Sequence, residues 1–162
     1  IERVFLEPEG VRAYPGAVRA ILEADLIVVG PGSLYTSILP NLLVRDIAEA
    51  LKASRALKVY VCNVATQPGE TDGFSVQDHV RVLEEYVGQG VFSLVLANSN
   101  MSFQLPAYAQ SEPVAFEEGR TMPYRLVTAD LVDPRNPWRH DAERLAETLI
   151  SLYTDWKASA TS

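Results

Sequence analysis

Cysteine is nearly absent from this 162-residue sequence, which contains only Cys62. A single cysteine excludes an intrachain disulfide and a cysteine-based zinc cluster. Such cysteine usage is typical of a reducing compartment, so we expect the protein to be cytoplasmic. Because Cys62 lies inside an apolar run, we expect a buried, unreactive thiol rather than a nucleophile.

Positive charge is also scarce, since 14 Lys and Arg residues stand against 21 Asp and Glu residues and the formal net charge is −7. The sequence has no cluster of Lys or Arg that could follow a phosphate backbone, so we expect no nucleic-acid partner. Long apolar runs are missing as well, because none approaches the roughly 20 residues that a membrane-spanning helix requires. We therefore predict no membrane span, and assembly into a homo-oligomer stays open.

What the sequence does contain is a series of short apolar runs separated by helical patterns. The apolar runs predict buried strands at residues 26–29, 59–62, 92–97 and 125–132. Single helices between such strands indicate βαβ crossovers and a parallel sheet. The sequence thus predicts an α/β fold in one domain, residues 1–162, with an irregular stretch at 101–124 and one short edge strand near 114–116.

The helical segments are marked by apolar residues at a spacing of three and four. Helices are predicted over residues 15–23, 40–54 and 139–156, the last with Trp156 facing inward. A fourth helix begins after Ser75, where Asp78 follows three residues later in a capping-box arrangement.

Three of the predicted strands are followed by unusually polar segments, at residues 30–37, 63–72 and 98–100. The carboxyl ends of parallel strands lie at one edge of a sheet, and ligands of doubly wound folds bind there. The connections at the opposite edge are short and carry no comparable group of polar residues. This asymmetry predicts a ligand site at the carboxyl edge.

The first polar segment follows the strand at 26–29 and opens with Gly30 and Gly32. These glycines permit positive φ and close approach of a ligand, and the N–H groups that follow them could face an anion at a helix start. Ser33, Thr36 and Ser37 add uncharged hydroxyl donors. The alternative is an ordinary strand-to-helix turn whose hydroxyls only cap the helix.

The second polar segment is longer than a minimal strand-to-helix connection needs. It carries Thr66, Gln67, Glu70, Thr71 and Asp72 around a Pro-Gly pair. Glu70 and Asp72 are candidate ligands for a hydrated Mg²⁺, which favours one or two carboxylates together with ligand phosphates. The alternative is that both are solvated turn acids.

The histidines and tryptophans can be explained by structural roles. His79 lies in the first turn of its helix and can lean toward the second polar segment, although a structural residue at the helix boundary is the more common case. His140 and Asp141 precede the last helix, where capping by Asp141 accounts for them. Trp138 and Trp156 are predicted to be packing residues.

Four segments of the sequence together resemble a known family. In order along the chain they are IERVFLEP, ADLIVVGPGSLYTSILPNLLV, YVCNVATQPGETDGFSVQDH and RHDAERLA. They closely resemble the gluconeogenesis-factor branch of the CofD-like family, whose other branch contains 2-phospho-L-lactate transferases. The resemblance covers nearly the whole chain and is weakest at residues 101–124.

The resemblance implies a Rossmann-like parallel sheet with helices on both faces and a nucleotide-containing ligand. It implies a UDP-sugar-binding regulator tied to gluconeogenic growth, cell-envelope synthesis and cell shape. The ligand-binding residues carried over by position, together with Asn98 from the third polar segment, are Gly30, Pro31, Gly32, Ser33, Tyr35, Thr36, Ser37, Asn63, Thr66, Gln67, Glu70, Thr71 and Asn98.

The sequence departs from the family at its beginning. The family opens with a strand and a GGGTG-type phosphate loop, whereas this chain contains no Gly-Gly pair. We therefore expect residues 1–162 to be the C-terminal portion of a longer chain, with an incomplete sheet. A phosphotransferase of the 2-phospho-L-lactate transferase type stays open as the second function. Its transition state needs cations or preorganised donors at the transferred phosphoryl group, and the three polar segments contain no Lys or Arg.

Overall fold

A four-stranded parallel sheet forms the centre of the molecule. The computed structural model describes residues 1, 3–117, 119 and 121–160. The strands follow the order β1-β2-β3-β4 and comprise Leu26–Val29, Leu57–Val61, Leu94–Asn98 and Arg125–Ala129. Every neighbouring pair is parallel, so the predicted α/β fold with a parallel sheet is confirmed.

Helices cover both faces of this sheet. They are α1 Pro15–Glu23, α2 Leu39–Leu42, α3 Arg45–Ala53, α4 Val76–Val87 and α5 Ala142–Ala160. Side chains alternate between the two faces of a strand, and the core divides accordingly. Tyr60 and Cys62 belong to the cluster beneath α2, α3 and α4, whereas Val59 and Val61 belong to the cluster beneath α5.

The segment between β1 and β2 differs from the single helix predicted at residues 40–54. A π-helical turn, Leu34–Ile38, leads directly into α2, and α3 begins only at Arg45. The break lies at Val44, whose extended backbone (φ −72°, ψ 104°) ends one helical segment before the next begins. Apolar spacing alone does not reveal this break, because buried residues occur on both sides of it.

α4 follows its sequence pattern closely. The Ser75 hydroxyl accepts a hydrogen bond from the Asp78 N–H at 3.2 Å, and the Asp78 carboxylate accepts one from the Ser75 N–H at 3.0 Å. The predicted capping box is therefore present. The apolar stripe of this helix is buried as expected.

The C-terminal region contains a hairpin that the sequence did not predict. The strand expected over residues 125–132 ends at Ala129, and a two-stranded antiparallel sheet follows, formed by β5 Val132–Asp133 and β6 Asn136–His140. α5 therefore starts at Ala142 rather than at residue 139. The inward position predicted for Trp156 is wrong, because 36% of this residue is exposed.

Residues 101–124 are irregular, as predicted. Their described part contains a 3-10 turn, Ala107–Ala109, and residues 118 and 120 lie outside the described residues. The edge strand expected near residues 114–116 is reduced to an isolated bridge between Ala65 and Pro113. Within the described residues, no helix has the length and apolar character needed to cross a membrane.

Candidate functional site

A cleft of about 770 Å³ opens where β1 and β2 end. One wall comes from the polar segments after these strands, and the other from β6 and the first turn of α5. The lining residues are Pro31, Gly32, Ser33, Asn63, Ala65, Thr66, Gln67, Pro68, Glu70, Ala109, Ser111, Trp138, Arg139, His140, Ala142 and Leu145. The carboxyl edge of the sheet thus carries a cleft of the size that small-molecule sites usually have.

Asn63 joins the first two polar segments. Its Oδ1 accepts a hydrogen bond from the Gly32 N–H at 3.1 Å, and its Nδ2 donates to the Gly32 carbonyl at 3.0 Å. The same Nδ2 also donates to Gln67 Oε1 at 3.2 Å. Both polar groups of the Gly32 peptide backbone are therefore already satisfied by one side chain.

Glu70 connects the same two segments through hydroxyl groups. Its carboxylate accepts hydrogen bonds from Ser33 Oγ at 2.5 Å and from Thr36 Oγ1 at 3.4 Å. Ser33 Oγ in turn accepts from the Thr36 N–H at 3.1 Å and caps the helical turn. Leu34, which follows Ser33, is fully buried. A carboxylate thus lies beside the segment that was predicted to face an anion, and the Leu34 N–H is closed to solvent.

The two glycines of the first segment have different roles. Gly30 has φ +84°, and a Cβ atom there would lie 2.7 Å from the Val61 carbonyl oxygen. Gly32 lies outside the left-handed region, and a Cβ there would make an ordinary contact of 3.5 Å with Ser37 Cβ. The expectation of positive φ is therefore correct for Gly30 and wrong for Gly32.

Six of the predicted ligand-binding residues do not line this cleft. Gly30 directly follows β1, and Thr36 lies in the π-helical turn. Tyr35 is buried in the core, where burial and the neighbouring Tyr86 and Glu85 raise the pKa of its phenol. Ser37 lines a separate cavity of about 380 Å³ beside β1.

Thr71 and Asn98 are the other two, and both are buried structural residues. Thr71 Oγ1 accepts a hydrogen bond from the Gln67 N–H at 2.9 Å and fixes the second polar segment. Asn98 Oδ1 accepts from the Leu131 N–H at 3.1 Å, which ties the end of β3 to the chain beyond β4. The third polar segment therefore supports the fold rather than lining the cleft.

The two candidate Mg²⁺ ligands, Glu70 and Asp72, accept hydrogen bonds from different parts of the protein. Asp72 Oδ2 accepts a hydrogen bond from the Gly69 N–H at 2.7 Å within its own turn, whereas Glu70 reaches across to Ser33. In the part of the chain that the structure describes, no group of three or more His, Cys, Asp or Glu side chains could hold a metal ion. Mg²⁺ binding by Glu70 and Asp72 stays a prediction.

β6 supplies the wall of the cleft that the sequence analysis missed. Trp138, Arg139 and His140 all line the cleft, although the sequence predicts a packing role for Trp138 and explains His140 by its place beside the capping residue of α5. The available signal was the Asp-Pro-Arg-Asn sequence at 133–136, a combination typical of a tight turn between strands.

Arg139 is the cation of the cleft. Among the described residues its side chain has no ion-pair or hydrogen-bond partner, whereas the side chain of Arg135 on the same hairpin pairs with Asp133 at 3.5 Å. His140 adds no charge at neutral pH, because burial lowers its pKa and its Nε2 lies 3.1 Å from the Cys62 carbonyl oxygen. Burial likewise raises the pKa of the Cys62 thiol to about 12, as expected for an unreactive cysteine.

His79 does not lean toward the second polar segment. It is fully buried in α4, with Nδ1 2.8 Å from the Ser75 carbonyl oxygen and its ring edge-on to Phe74. Its Nε2 is buried with no hydrogen-bond partner among the described residues. Burial lowers the pKa of this imidazole.

Comparison with known proteins agrees with the fold. The sequence matches the family model for 2-phospho-L-lactate transferase CofD over residues 1–132. It is 45% identical over 157 residues to the gluconeogenesis factor of Listeria innocua serovar 6a, covering 94% of this chain and 48% of that protein. It is 43% identical over 159 residues to the gluconeogenesis factor of Bacillus subtilis, covering 94% of this chain and 50% of that protein.

A solved structure from Bacillus halodurans matches with a TM-score of 0.84 at 38% identity, covering 93% of this chain and 50% of that one. A second structure from the same organism, a member of the UPF0052 family, has a TM-score of 0.81 at 37% identity. The chain thus spans about half the length of the curated relatives and solved structures that it matches.

Proposed function

Since the chain belongs to the CofD family, we propose that its cleft binds a nucleotide sugar of the UDP-sugar type. We further propose that the complete protein is a cytoplasmic regulator linked to gluconeogenic growth, cell-envelope synthesis and cell shape. The names of the relatives in Listeria innocua and Bacillus subtilis support the link to gluconeogenesis.

The observation that carries this proposal is Arg139, whose side chain has no partner among the described residues, in a cleft where Glu70 is the one described carboxylate. A protein of net charge −7 repels anions, so an anionic ligand needs a local positive charge. Arg139 supplies it, and a guanidinium suits phosphate oxygens because its planar donors match them in pairs. The phosphates of the ligand therefore lie nearer to Arg139 than to Glu70, whose carboxylate would repel them.

The polar wall suits the uncharged part of such a ligand. Thr66 and Gln67 line it, and no described residue accepts a hydrogen bond from the Gln67 side-chain amide. Sugar hydroxyls and the carbonyl groups of a pyrimidine need such donors and acceptors. Because Asn63 and Glu70 are already engaged with Gly32 and Ser33, this wall is held in place before a ligand arrives.

Isothermal titration calorimetry of the full-length protein with UDP-N-acetylglucosamine tests the proposal. Arg139→Gln should weaken binding at least about tenfold, since a hydrogen bond to a charged group contributes about 1.5–3 kcal/mol. Arg135→Gln is the matched control, because this arginine is 92% exposed and paired with Asp133 on the same hairpin. Absence of binding to the parent protein, or equal affinity of the parent and Arg139→Gln proteins, contradicts the proposal.

A phosphotransferase of the 2-phospho-L-lactate transferase type is the second candidate. The matching family model supports it, and Arg139 provides one cation that the three polar segments lack. Transfer of a nucleotide-activated phospholactate-like group to an alcohol breaks the diphosphate bond and releases a nucleoside monophosphate. ³¹P NMR of the full-length protein with such a substrate and an alcohol acceptor should show that product. A spectrum that stays unchanged rules this candidate out for the pair of substrates used.

A further inference from the structure

Trp138 is exposed to solvent within the cleft. It is the one Phe, Tyr or Trp side chain that lines the cleft in the described part of the chain, and 40% of the residue is exposed. Tyr108, itself 80% exposed, lies beside it with the ring centroids 6.4 Å apart and the planes inclined at 42°. Large apolar rings are usually withdrawn from water, so a solvent-facing pair of them at a cleft suggests a partner ring.

We propose that Trp138 is the stacking surface for the planar base of the ligand, with Tyr108 holding the indole in position. The inference rests on the proposed function, since it names the part of the ligand that this side of the cleft recognises. An indole offers a broad π face to any base, and such stacking tolerates different bases. Trp138 therefore sets the preference for an aromatic ligand over a plain phosphate or sugar.

The residues near Trp138 should contact different parts of the ligand. Arg139, the next residue along β6, has the charge that phosphate requires, whereas Trp138 has none. The free amide of Gln67 belongs to the facing wall and can donate to a carbonyl on the edge of the base. Removing the indole should thus weaken the binding of ligands that contain a base and leave the binding of ligands that consist of phosphate alone unchanged.

Binding of UDP and of inorganic pyrophosphate to the full-length protein separates these contributions. Trp138→Leu should weaken UDP binding about tenfold and leave pyrophosphate binding within about twofold. Trp138→Phe, which keeps an aromatic ring, should recover part of the loss. Trp156→Phe is the control, because Trp156 packs beside Tyr153 on α5, with ring centroids 6.3 Å apart, and does not line the cleft. Retained pyrophosphate binding also shows that the Trp138→Leu cleft is intact.

Tryptophan fluorescence gives a second readout that a merely structural role would not produce. UDP should quench the emission of the parent and Trp156→Phe proteins, and the quenching should disappear in Trp138→Phe, whereas pyrophosphate should quench none of them. Equal UDP affinity in parent and Trp138→Leu proteins, or equal losses for UDP and pyrophosphate, overturns the inference and leaves UDP-sugar binding standing.

A panel of UDP, CDP, ADP and GDP distinguishes failure of the inference from failure of the proposed function. Binding of another diphosphate but not UDP refutes the UDP-sugar proposal, and the stacking role then stands or falls on whether Trp138→Leu weakens that diphosphate. Binding of pyrophosphate alone, or of none of these ligands, refutes both.

Discussion

Asn63 and Glu70 shape one wall of the cleft by satisfying backbone and hydroxyl groups that belong to a different segment. Asn63 binds both polar groups of Gly32, and Glu70 accepts hydrogen bonds from Ser33 and Thr36. Hydrogen bonds of this kind fix the relative position of two loops that share no backbone ladder. At the scale of single residues, the site is therefore shaped by side chains whose hydrogen bonds are made to other groups of the protein.

Gly30 and Gly32 provide a residue-scale prediction. Gly30→Ala should lower the free energy of unfolding by about 2 kcal/mol or more, since a side chain in the left-handed region is strained by roughly 1–2 kcal/mol and the new Cβ would also clash with the Val61 carbonyl oxygen. Gly32→Ala should change it by less than about 0.5 kcal/mol, because its backbone is ordinary and its Cβ fits. Urea denaturation of both variants checks this, and equal losses would refute it.

His79 provides a second prediction, which concerns pH. Burial lowers the pKa of this imidazole below its ordinary value of 6.5, so the unfolded state binds more protons than the folded state as pH falls past 6.5. Stability present above that pH should therefore be lost on acidification between roughly pH 7 and pH 5. Replacing His79 by Gln should reduce the slope of unfolding free energy against pH, measured by urea denaturation across this range.

His140 should keep part of the slope in the His79→Gln protein, because burial lowers its pKa too. The parent and His79→Gln proteins are compared by the slope of their unfolding free energy against pH. Their absolute stabilities are not compared, because a change at a fully buried position can destabilise the fold by itself. An unchanged slope would show that His79 takes up its proton without cost in the folded state.

The hairpin formed by β5 and β6 matters most at the scale of the elements. It places Trp138, Arg139 and His140 opposite the polar segments that follow β1 and β2, so that residues far apart along the chain meet in one cleft. It also sets the start of α5, because the Asp141 N–H donates to the Leu131 carbonyl before the helix begins. A two-stranded element thus completes a site that the parallel sheet begins.

The capping box of α4 provides an element-scale prediction. Ser75→Ala removes the acceptor of the Asp78 N–H and should destabilise the protein by about 1 kcal/mol. Glu85→Ala on the same helix is the control, because its ion pair with Arg81 is exposed and should contribute less than about 0.5 kcal/mol. Thermal unfolding followed by circular dichroism checks both. A smaller loss for Ser75→Ala than for Glu85→Ala would contradict the assignment.

At the scale of the whole molecule, β1 and β4 are the two edge strands of the described parallel sheet. Among the described residues no strand pairs with the outer side of β1, and Val28 on this strand is 39% exposed. The curated relatives are about twice as long as the matched region. We therefore propose that residues 1–162 are the C-terminal portion of one CofD-like domain and that upstream residues add a strand beside β1.

Hydrogen exchange measured by NMR tests this proposal. In the longer protein, the outward-facing amides of β1 should exchange at least about tenfold more slowly than in the 162-residue chain, because they would then be hydrogen-bonded in a sheet. The amides of β3, which lies between two strands, serve as the control and should be protected in both proteins. Equal exchange of β1 in the two proteins would exclude a strand at this edge.

The sequence by itself determined the features that depend on neighbouring residues. Apolar runs located the strands, and β1 matches its predicted bounds. Helical spacing fixed the buried stripe of α4, and Ser75 with Asp78 marked where this helix begins. The polar segments after β1 and β2 pointed to the edge of the sheet where the cleft lies, because parallel strands place their carboxyl ends together.

Only the tertiary structure decided which of those polar residues face the cleft and what stands opposite them. Asn98 and Thr71 look no different in sequence from Asn63 and Thr66. All four side chains accept hydrogen bonds from backbone N–H groups, yet only Asn63 and Thr66 line the cleft. Trp138 and Arg139 lie far from these residues along the chain. They reach the cleft through the turn at Pro134, and the spacing of apolar residues does not predict such a turn. Local spacing determines which element forms, whereas contacts between distant segments depend on how those elements pack.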